Sequence, residues 1–500
     1  MLSYRSPFLI LVTLVDPGPC SGICLRIPEQ FGNDFVNQHK CSLYLILPDV
    51  KIQSLFFLSL LIASGFCAPE RALAQKNKDR ISPDLKIRKN LTDDQLLDLV
   101  EKQTFRYFWD FGDPVSGMAH ERSNKTPIYG PEVVTTGGTG FGLMAMIVAA
   151  ERKFITREQA AKRTKKIVDF LWKADMFHGA FPHWLNGTTG KVIRFSLKDD
   201  GADIVETSLL FQGLLTARQY YNADNEVENT IRNKITWMWE AVEWDWFTQN
   251  QNVLYWHWSP NNGWSMNHPI RGWNECLITY ILAASAPKYP IEKRVYVDGW
   301  TNSRTFYNGH QYNGITLPLG DNYGGPLFFA QYSFLGLDPR GLKDQFGDYW
   351  EQNKAHTLVN RAYCIENPKK YKGYAANSWG LSASDSWQGY AAHSPTTDLG
   401  VISPTAALSS FPYTPEYSMQ ALRHYYEDKG HELWTEYGFA DAFSEQHNWV
   451  AKSHLALDQG PIIVMIENHR TGLLWKLFMR IPEIQNGLKY LGFTSPAFPK

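Results

Sequence analysis

Two kinds of helical segment alternate along most of this 500-residue sequence. One kind is apolar on nearly every side, as in the stretches 140–154, 203–221 and 273–286. The other carries its apolar residues as one stripe with a polar far face, as in 156–174 and 225–242. A helix that is apolar all round belongs inside a protein, whereas a one-sided helix covers the outside. The alternation therefore predicts an all-α fold in which inner helices are ringed by outer helices, an (α/α) barrel.

Long aromatic loops separate these helices. The loops 247–270 and 296–330 are rich in Gly, Asn, Trp and Tyr, a composition typical of functional loops. The whole chain has 18 Trp, 25 Tyr and 28 Phe, whose rings either fill a large core or line a groove for a ligand with apolar faces. Sugars have such faces. No Pro/Ser-rich linker divides residues 91–500, which favours one large domain with its loops at the mouth of the inner ring.

The charge balance excludes several classes of partner. A net charge of -1 and a pI near 6.9 provide no basic face for nucleic acid or anionic lipid, so we expect an uncharged ligand and no nucleic acid. The chain contains no P-loop, H-E-x-x-H, paired C-x-x-C or G-x-S-x-G motif, and its histidines lack metal-ligand spacing. We therefore expect neither a cofactor nor a metal, and we take the protein to be a monomer.

The first 74 residues have the composition of a leader. From Lys51 they show a cationic start, a short apolar run and a small-x-small site at 72–74, the parts of a secretory signal. We interpret 1–74 as a segment upstream of the true start plus a signal peptide, 75–90 as a polar arm and 91–500 as one domain. The apolar run is too short for a transmembrane span, which takes about 20 residues. A lipoprotein anchor on Cys67 is the alternative to a cleaved signal.

Cleavage after residue 74 also removes four of the six cysteines. The remaining two, Cys276 and Cys364, can form one disulfide in an oxidising compartment or stay as buried free thiols. Both outcomes exclude a small fold that depends on a disulfide framework.

Isolated acids surrounded by aromatic residues are the best candidates for chemistry. They are Asp199, Asp203, Glu206, Glu275, Asp385 and Asp458. Glycoside hydrolysis needs one protonated carboxyl group that gives a proton to the leaving oxygen, and one carboxylate that activates water or attacks the sugar. Trp273 lies two positions before Glu275, and a neighbouring indole raises a carboxyl pKa by excluding water.

Each acid also has a structural alternative. Asp203 and Glu206 can cap the helix that follows them and complement its dipole. Glu275 can pair with Arg271 one turn earlier, and Asp458 can end one helix or cap the next. The tryptophan-rich stretch 256–264 can serve as a sugar platform or as loop packing.

Eight stretches, in order along nearly the whole mature chain, resemble the glycoamylase-like domain of glycoside hydrolase family 144. They are "FRYFWDFGDPVSGMAHERS", "TTGGTGFGLMA", "GADIVETSLLFQGLLTARQY", "HPIRGWNECLI", "LFFAQYSFLGLDPR", "WGLSASDSWQGYAAHSP", "GVISPTAALSSFPYTPE" and "ALDQGPIIVMIENHRTGLLW". The resemblance implies an (α/α)6 barrel, inverting hydrolysis of β-1,2-glucan without a cofactor, and export to the periplasm of a Gram-negative bacterium. Inversion implies working carboxyl groups about 6.5–9.5 Å apart.

The resemblance also implies roles for particular residues. Glu275 is the expected general acid and Asp458 the expected general base acting through water, with Asp203 and Glu206 holding the water or the sugar; acid and base can also be exchanged or moved into the 199–206 loop. The expected substrate-binding residues are Asp199, Arg271, Trp273, His268, Asp385, Trp387 and Trp184. The alternatives are an exo-acting hydrolase that releases glucose or sophorose, a non-catalytic glycan-binding surface protein, and a phosphorylase or transglycosylase.

Overall fold

The computed structural model describes residues 80–124 and 130–498, and helices dominate this part of the chain. The α-helices are α1 (Asp93–Trp109), α2 (Thr136–Glu151), α3 (Arg157–Leu171), α4 (Ile204–Tyr220), α5 (Glu226–Ala241), α6 (Leu277–Ser285), α7 (Tyr349–Glu366), α8 (Pro404–Leu408), α9 (Pro415–Arg423), α10 (Gly430–Leu433), α11 (Ala456–Arg470), α12 (Leu473–Phe478) and α13 (Pro482–Leu491). Single turns of 3-10 helix lie at Trp246–Thr248, Asn322–Gly324, Leu327–Ala330 and Tyr332–Leu335, and π-helix at Val295–Trp300 and His424–Asp428. The predicted helix-rich class is confirmed.

The β-strands are short and lie in the connections between helices. They are β1 (Val133–Thr135), β2 (Trp184–Asn186), β3 (Val192–Ile193), β4 (Ala202–Asp203), β5 (His257–Trp258), β6 (Gln311–Tyr312), β7 (Ile315–Thr316), β8 (Ala383–Ser384), β9 (Ala391–Ala392), β10 (Trp434–Thr435), β11 (Gly438–Phe439), β12 (Phe443–Ser444) and β13 (Trp449–Val450). β1, β2 and β3 form one antiparallel sheet, and the other strands pair as β4–β5, β6–β7, β8–β9, β10–β11 and β12–β13. The register of β4 and β5 sets Asp203 opposite His257.

The capping residues explain where several helices begin. Thr92 and Thr156 each form a capping box, in which the threonine hydroxyl accepts from the third helical N–H and a glutamine reaches back to the threonine N–H. Asp203 caps α4 and Asp348 caps α7 with side-chain oxygens. Each cap satisfies backbone donors that have no partner within the helix.

The helices that the sequence assigned to the interior are buried along almost their whole length. α2 packs against α4 and α11, α4 also packs against α6, and α6 packs against the turn 332–335. Gln331, just before that turn, donates to the carbonyl oxygen of Ala406 in α8 (2.9 Å), and α8 packs against α11. These contacts join the inner elements from α2 round to α11 and back to α2.

The one-sided helices lie outside this arrangement. α3 and α5 pack against each other and against α2 and α4 respectively, and they bury only the residues of their apolar stripes. α1 covers α2 and α11, while α13 covers α6. The predicted inner and outer roles of these segments are confirmed.

Glycines of α2 allow its neighbours to approach very closely. A Cβ on Gly140 would lie 2.3 Å from the carbonyl oxygen of Leu209 in α4, and a Cβ on Gly213 would lie 2.0 Å from the carbonyl oxygen of Gly140. On another face, a Cβ on Gly138 would lie 2.5 Å from the Cβ of Ala456 in α11. Real Cβ atoms do not come this near to a backbone oxygen, so the backbones of α2 and α4 touch only because these positions are glycine.

Residues 80–90 of the predicted arm form no helix and lie against the helices of the described chain. Arg106 donates to the carbonyl oxygen of Ile81 (2.6 Å), and Trp434 donates to that of Asp84 (2.8 Å). Cys276 and Cys364 are buried free thiols. Within 80–124 and 130–498, none of the helices is long and apolar enough to cross a membrane. The predicted leader 1–74, its signal peptide and Cys67 lie outside the described residues.

The glycine contact between α2 and α4 gives a stability prediction. We expect Gly213→Ala to lower the free energy of unfolding by about 3 kcal/mol, because the new methyl group forces two inner helices apart. The measurement is urea unfolding followed by circular dichroism.

Gly263→Ala is the control, since a Cβ there would meet nothing within 4 Å and only the left-handed backbone (φ 54°) is penalised. We expect it to cost about 1 kcal/mol. Equal losses for the two variants would show that the close contact does not limit stability.

Candidate active site

The N-terminus of α4 carries the first set of predicted acids. Asp203 Oδ1 accepts hydrogen bonds from the backbone N–H of Val205 (3.0 Å) and of Glu206 (2.9 Å), so this carboxylate caps the helix. Its Oδ2 lies 3.1 Å from His183 Nδ1 and 3.7 Å from His257 Nε2. A structural role and a role in the site are therefore compatible for Asp203, because one oxygen caps the helix and the other faces polar side chains.

Asp199 and Glu206 complete a cluster that we call the His183 group, defined as His183, Asp199, Asp203, Glu206 and His257. Asp199 Oδ2 lies 3.4 Å from His257 Nε2. Glu206 Oε2 accepts a hydrogen bond from the backbone N–H of Gly137 at the start of α2 (2.8 Å), and its Oε1 lies 3.9 Å from His183 Nε2. The group thus joins the N-termini of two inner helices.

Burial and mutual repulsion set the protonation of this group. Burial raises the pKa of Asp199 and of Glu206, each to about 7, and the negative charge of Asp203 adds to both shifts. Burial also raises the pKa of Asp203, but the hydrogen bond from His183 and the charge of His257 outweigh it, and the net pKa is lowered. Burial lowers the pKa of His183, but Glu206 and Asp203 outweigh it and raise the pKa to about 10. At neutral pH the group contains an imidazolium beside an ionised Asp203.

The same group contains the atoms best placed to bind a cation. One nitrogen of His183 and one carboxylate oxygen each from Asp199 and Asp203 lie within 4.8 Å of one another. His183 already donates to Asp203 and supplies a positive charge at this position. The imidazolium of His183 therefore supplies the positive charge that a bound cation would supply, and we assign no metal to the cluster.

The N-terminus of α11 carries a second cluster, the Asp458 group, defined as Arg122, Asp385, Asp441, Ser453 and Asp458. Arg122 Nη1 donates to both carboxylate oxygens of Asp385 (3.1 and 3.0 Å), and the Ser453 hydroxyl donates to Asp385 as well. The backbone N–H of Asp385 donates to Asp441 Oδ2 (2.7 Å). Asp441 and Asp458 are joined by a hydrogen bond between their side chains.

A hydrogen bond between two carboxyl groups requires a shared proton. Burial and the charge of Asp441 raise the pKa of Asp458 well above its usual value. Burial and the charge of Asp385 raise the pKa of Asp441 to about 7. The Oδ1 atoms of Asp441 and Asp458 are buried and accept from no N–H or hydroxyl among the described residues. Burial and mutual repulsion therefore favour a protonated carboxyl group in this pair.

Glu275 lies just before α6 and is only half-buried, yet the apolar surroundings raise the pKa of its carboxyl group to about 7. Its carbonyl oxygen accepts a hydrogen bond from the Ser333 hydroxyl, which fixes the backbone beneath it. Asp458, Glu275 and Glu206 all act on the buried Tyr332, whose pKa is raised first by burial and then by their negative charges. The charges of three acids from distant parts of the sequence thus act on one tyrosine.

Three of the predicted substrate-binding residues lie on exposed loops. His268 stacks on Trp256, with ring centroids 5.2 Å apart. Arg271 donates to the carbonyl oxygens of Asp298 (3.1 Å) and Gly299 (3.2 Å), so the alternative pairing with Glu275 is replaced by these backbone contacts. Trp387 is 43% exposed and packs against His447, with centroids 4.2 Å apart.

Two other predicted contacts are buried instead. Trp273 is 3% exposed, and its ring packs with those of Phe334 and Tyr349, with centroids 6.3 and 5.9 Å away. Trp184, also 3% exposed, makes T-shaped contacts with His183 and Phe195. Both rings are buried against other rings, and the binding of substrate by Trp273 and Trp184 stays a prediction. They stabilise the walls on which the site is built.

The tryptophan-rich stretch 256–264 also serves mainly for packing. Trp264 and Trp258 pack around Trp246, with centroids 4.7 and 5.3 Å apart. The structure therefore favours loop packing over a sugar platform for this stretch.

Several residues of the site are not predicted by the sequence. His183 follows a buried Pro in "FPHWLNG", and Asp441 stands alone among apolar residues in "FADAFS". A lone ionisable residue in an apolar context is the signal that could have drawn attention to both. Tyr390 was also missed: its ring is 52% exposed, while Asp458, Glu121 and Asp441 act on its hydroxyl and, together with burial, raise its pKa.

Buried carboxyl groups with raised pKa values, gathered at the N-termini of inner helices, define a carbohydrate-cleaving type of site. Comparison with known proteins agrees with this class. Residues 267–482 match the Glycoamylase family model, which carries the description "Putative glucoamylase". A solved structure from Bacteroides uniformis, described in the same words, is 62% identical, with 82% of this chain and 100% of that chain covered and a TM-score of 0.81.

Two further relatives carry named activities. An endo-β-1,2-glucanase from Chitinophaga pinensis, solved with sophorotriose and glucose, is 56% identical, with 82% of this chain and 100% of that chain covered and a TM-score of 0.80. An exo β-1,2-glucooligosaccharide sophorohydrolase (non-reducing end) from Parabacteroides distasonis is 47% identical over 421 residues, which is 80% of this chain and 58% of that protein. The chain thus spans little more than half the length of this curated relative.

These comparisons show that the chain belongs to the glycoamylase-like family, glycoside hydrolase family 144, as its motifs predict. The family consists of glycoside hydrolases, and the acid clusters of this chain are the equipment that such chemistry requires.

The charge of His183 gives a prediction for stability against pH. We expect His183→Asn to lower the free energy of unfolding by about 3 kcal/mol at pH 7, because it removes the positive charge that donates a hydrogen bond to the buried Asp203. A histidine whose folded pKa is raised stabilises the fold fully below its unfolded pKa and loses that effect as the pH rises through the folded value. The difference between wild type and variant should therefore shrink as the pH approaches 10.

The measurement is urea unfolding of both proteins at pH 7 and pH 10. His431→Asn is a matched control on an exposed histidine and should change little at either pH. A penalty for His183→Asn that is the same at both pH values would mean that packing, not charge, is the contribution of His183.

Proposed function

We propose that this protein is an exported, inverting glycoside hydrolase that cleaves β-1,2-linked glucan or its oligosaccharides. The observation that carries the proposal is the convergence of Glu275, Glu206 and Asp458 on Tyr332, with burial holding the carboxyl groups of Glu275 and Glu206 near half-protonation at pH 7. The β-1,2 linkage is supported by the named activities of the relatives from Chitinophaga pinensis and Parabacteroides distasonis.

We also infer that the inner and outer helices form an (α/α)6 barrel. Support comes from the succession of contacts α2, α4, α6, 332–335, α8 and α11, which returns to α2. In this arrangement the N-termini of the inner helices meet at one end, where the two acid clusters lie. The helix dipoles then place partial positive charge beneath the acids.

Glu275 is the proposed general acid. Its pKa of about 7 leaves a large fraction protonated at neutral pH, so it can donate a proton to the oxygen of the breaking glycosidic bond. Because the carboxyl group is half-buried, it can reach a bound substrate while its apolar surroundings favour the neutral form.

Asp458 is the proposed general base, and Asp441 is the residue that lets it act as one. A base must be ionised, whereas burial and the charge of Asp441 favour the protonated form of Asp458. Transfer of that proton across the hydrogen bond to Asp441 frees Asp458 to accept a proton from the water that attacks the anomeric carbon. Asp203, Glu206 and Asp199 then hold the sugar or the water from the opposite side, with His183 balancing their charge.

Among the remaining predicted contacts, Arg271, His268, Asp385 and Trp387 stay candidate substrate-binding residues. Trp387 is 43% exposed, and its ring suits a sugar face. Arg271 and His268 are also exposed. We propose that the protein works as a monomer, without cofactor or metal.

The relatives name both endo and exo action, and we favour internal cleavage because the endo-acting relative is covered over its full length. Exo release of sophorose is the alternative, since the Parabacteroides distasonis relative is named for it. We further propose export to the periplasm, supported by the signal-like sequence that begins at Lys51, with an outer-membrane lipoprotein anchored at Cys67 as the alternative.

A product time course tests the proposed function. We expect purified protein to cleave linear β-1,2-glucan into a spread of oligosaccharides, and to leave β-1,3-glucan, β-1,4-glucan and starch intact. A single early product, sophorose or glucose, would show exo action. Release of sugar phosphate only when inorganic phosphate is present would show a phosphorylase, and binding without any product would show a glycan-binding protein.

The role of Glu275 can be tested by substitution and by pH. We expect Glu275→Gln to lower kcat by about 1000-fold while substrate binding is kept, because the amide cannot donate a proton to the leaving oxygen. In the wild type, kcat/KM should fall tenfold per pH unit above pH 7 as Glu275 ionises. Glu292→Gln, an exposed glutamate, is the matched control. Full turnover by Glu275→Gln would remove this residue from the mechanism.

The Asp441–Asp458 pair predicts a separate effect on the acidic side of the pH profile. Asp441→Asn removes a negative charge and offers an N–H to Asp458, so the pKa of Asp458 should fall. We expect the acidic limb of the pH profile of kcat/KM to shift by about one pH unit or more toward lower pH. The alkaline limb, which Glu275 sets, should stay in place. An unchanged acidic limb would mean that Asp441 does not control the base.

A further inference from the structure

Glu121 lies in the site but belongs to neither acid cluster. Its backbone N–H donates to the carbonyl oxygen of Val133 in β1 (3.3 Å), and its own carbonyl oxygen accepts from the N–H of Ala456 at the start of α11 (3.1 Å). The short segment around Glu121 is therefore held between the entrance to α2 and the first turn of α11. These bonds fix the position of the side chain relative to both inner helices.

The charge of Glu121 acts on both clusters. On one side it raises the pKa of His183 and of Glu206, and on the other side it raises the pKa of Asp458, in each case as a smaller contribution than burial. It also acts on the exposed Tyr390. The backbone bonds to Val133 and Ala456 and these electrostatic effects together place Glu121 near both clusters.

The side chain is buried, with 9% of the residue exposed, and its Oε2 accepts no hydrogen bond within residues 80–124 and 130–498. Oδ2 of Asp199 and Oδ1 of Asp441 and of Asp458 share this feature among the described residues, whereas the other acids of the two clusters have donors. Asp203 accepts from two backbone N–H groups, Glu206 from Gly137, and Asp385 from Arg122. A buried carboxylate oxygen without a donor is unfavourable, and such atoms in native proteins call for a partner.

We propose that Glu121 is a substrate-binding residue whose Oε2 accepts a hydrogen bond from a hydroxyl group of the glucosyl unit bound between the His183 and Asp458 groups. Sugar hydroxyls are donors, and a carboxylate is the strongest acceptor that a side chain offers them. The contact selects a sugar with a hydroxyl at that position and holds it between the acid and the base. This inference rests on the proposed function, because it assumes a glucan substrate.

The test pairs a protein substitution with the removal of a substrate hydroxyl. Dissociation constants are measured by calorimetry for β-1,2-linked gluco-oligosaccharides and for their 3-, 4- and 6-deoxy analogues. The proteins compared are Glu275→Gln and the double variant Glu275→Gln with Glu121→Ala, so that no substrate is consumed. Glu132→Gln, an exposed glutamate nearby in the sequence, replaces Glu121→Ala in the control.

We expect Glu121→Ala to weaken binding of the parent oligosaccharide by 10-fold or more. In the protein that keeps Glu121, one deoxy analogue should bind at least 10-fold more weakly than the parent oligosaccharide. In the protein with Glu121→Ala, that analogue and the parent should bind equally well. If every analogue is penalised equally in both proteins, or if Glu121→Ala binds the parent as well as the control does, the proposal is overturned. Glu121→Gln, which keeps an acceptor oxygen and the side-chain shape, should recover part of the affinity.

Calorimetry separates this proposal from the proposed function. Binding that depends on Glu121 in a protein whose wild type cleaves nothing would uphold the hydroxyl contact and refute hydrolysis. Suppose instead that the wild type cleaves the substrate and that the affinity penalties of the deoxy analogues are the same with and without Glu121. This result would uphold hydrolysis and refute the contact. No binding by any of the proteins would refute both.

Discussion

The close approach of α2 to its neighbours is the constraint on which the rest of this structure depends. Gly140 and Gly213 bring the backbones of α2 and α4 into contact, and Gly138 does the same for α2 and α11. At the end of this contact the backbone N–H of Gly137 donates to Glu206, so the spacing of the helices sets the position of an acid in the site. A side chain on any of these glycines would separate helices that must meet for the two clusters to face each other.

Electrostatic compensation explains how a buried site holds so many carboxyl groups. An isolated buried carboxylate is costly, and each cluster reduces that cost in its own way. The His183 group contains an imidazolium and receives backbone N–H groups at a helix N-terminus. The Asp458 group contains the guanidinium of Arg122 and one shared proton. The residual imbalance leaves several carboxyl groups with pKa values near 7, which is where acid and base catalysis at neutral pH needs them.

Particular residues show how much of the site could be predicted from the sequence. Asp199, Asp203 and Glu206 were predictable as a group because they lie within one helical entrance, and the structure keeps them together. Glu275 and Asp458 were recognisable as lone acids in apolar surroundings, but their shared neighbour Tyr332 was not. His183, Asp441 and Glu121 gave no periodic signal. The burial of Trp273 and Trp184 was not predictable, since the sequence does not show whether the faces of an aromatic ring are covered or free.

The sequence by itself determined the helix-rich class, the inner or outer role of the most regular helical segments and most of the acids, because helical periodicity and residue type are local properties. The three-dimensional structure alone decided which acids share protons and charges, which aromatic rings are open to a ligand, and how closely the helices pack. Those properties depend on distances between residues that are far apart in the chain, such as Arg122 and Asp385 or Gly137 and Glu206. No periodic pattern encodes such distances, since they arise only when the inner helices meet.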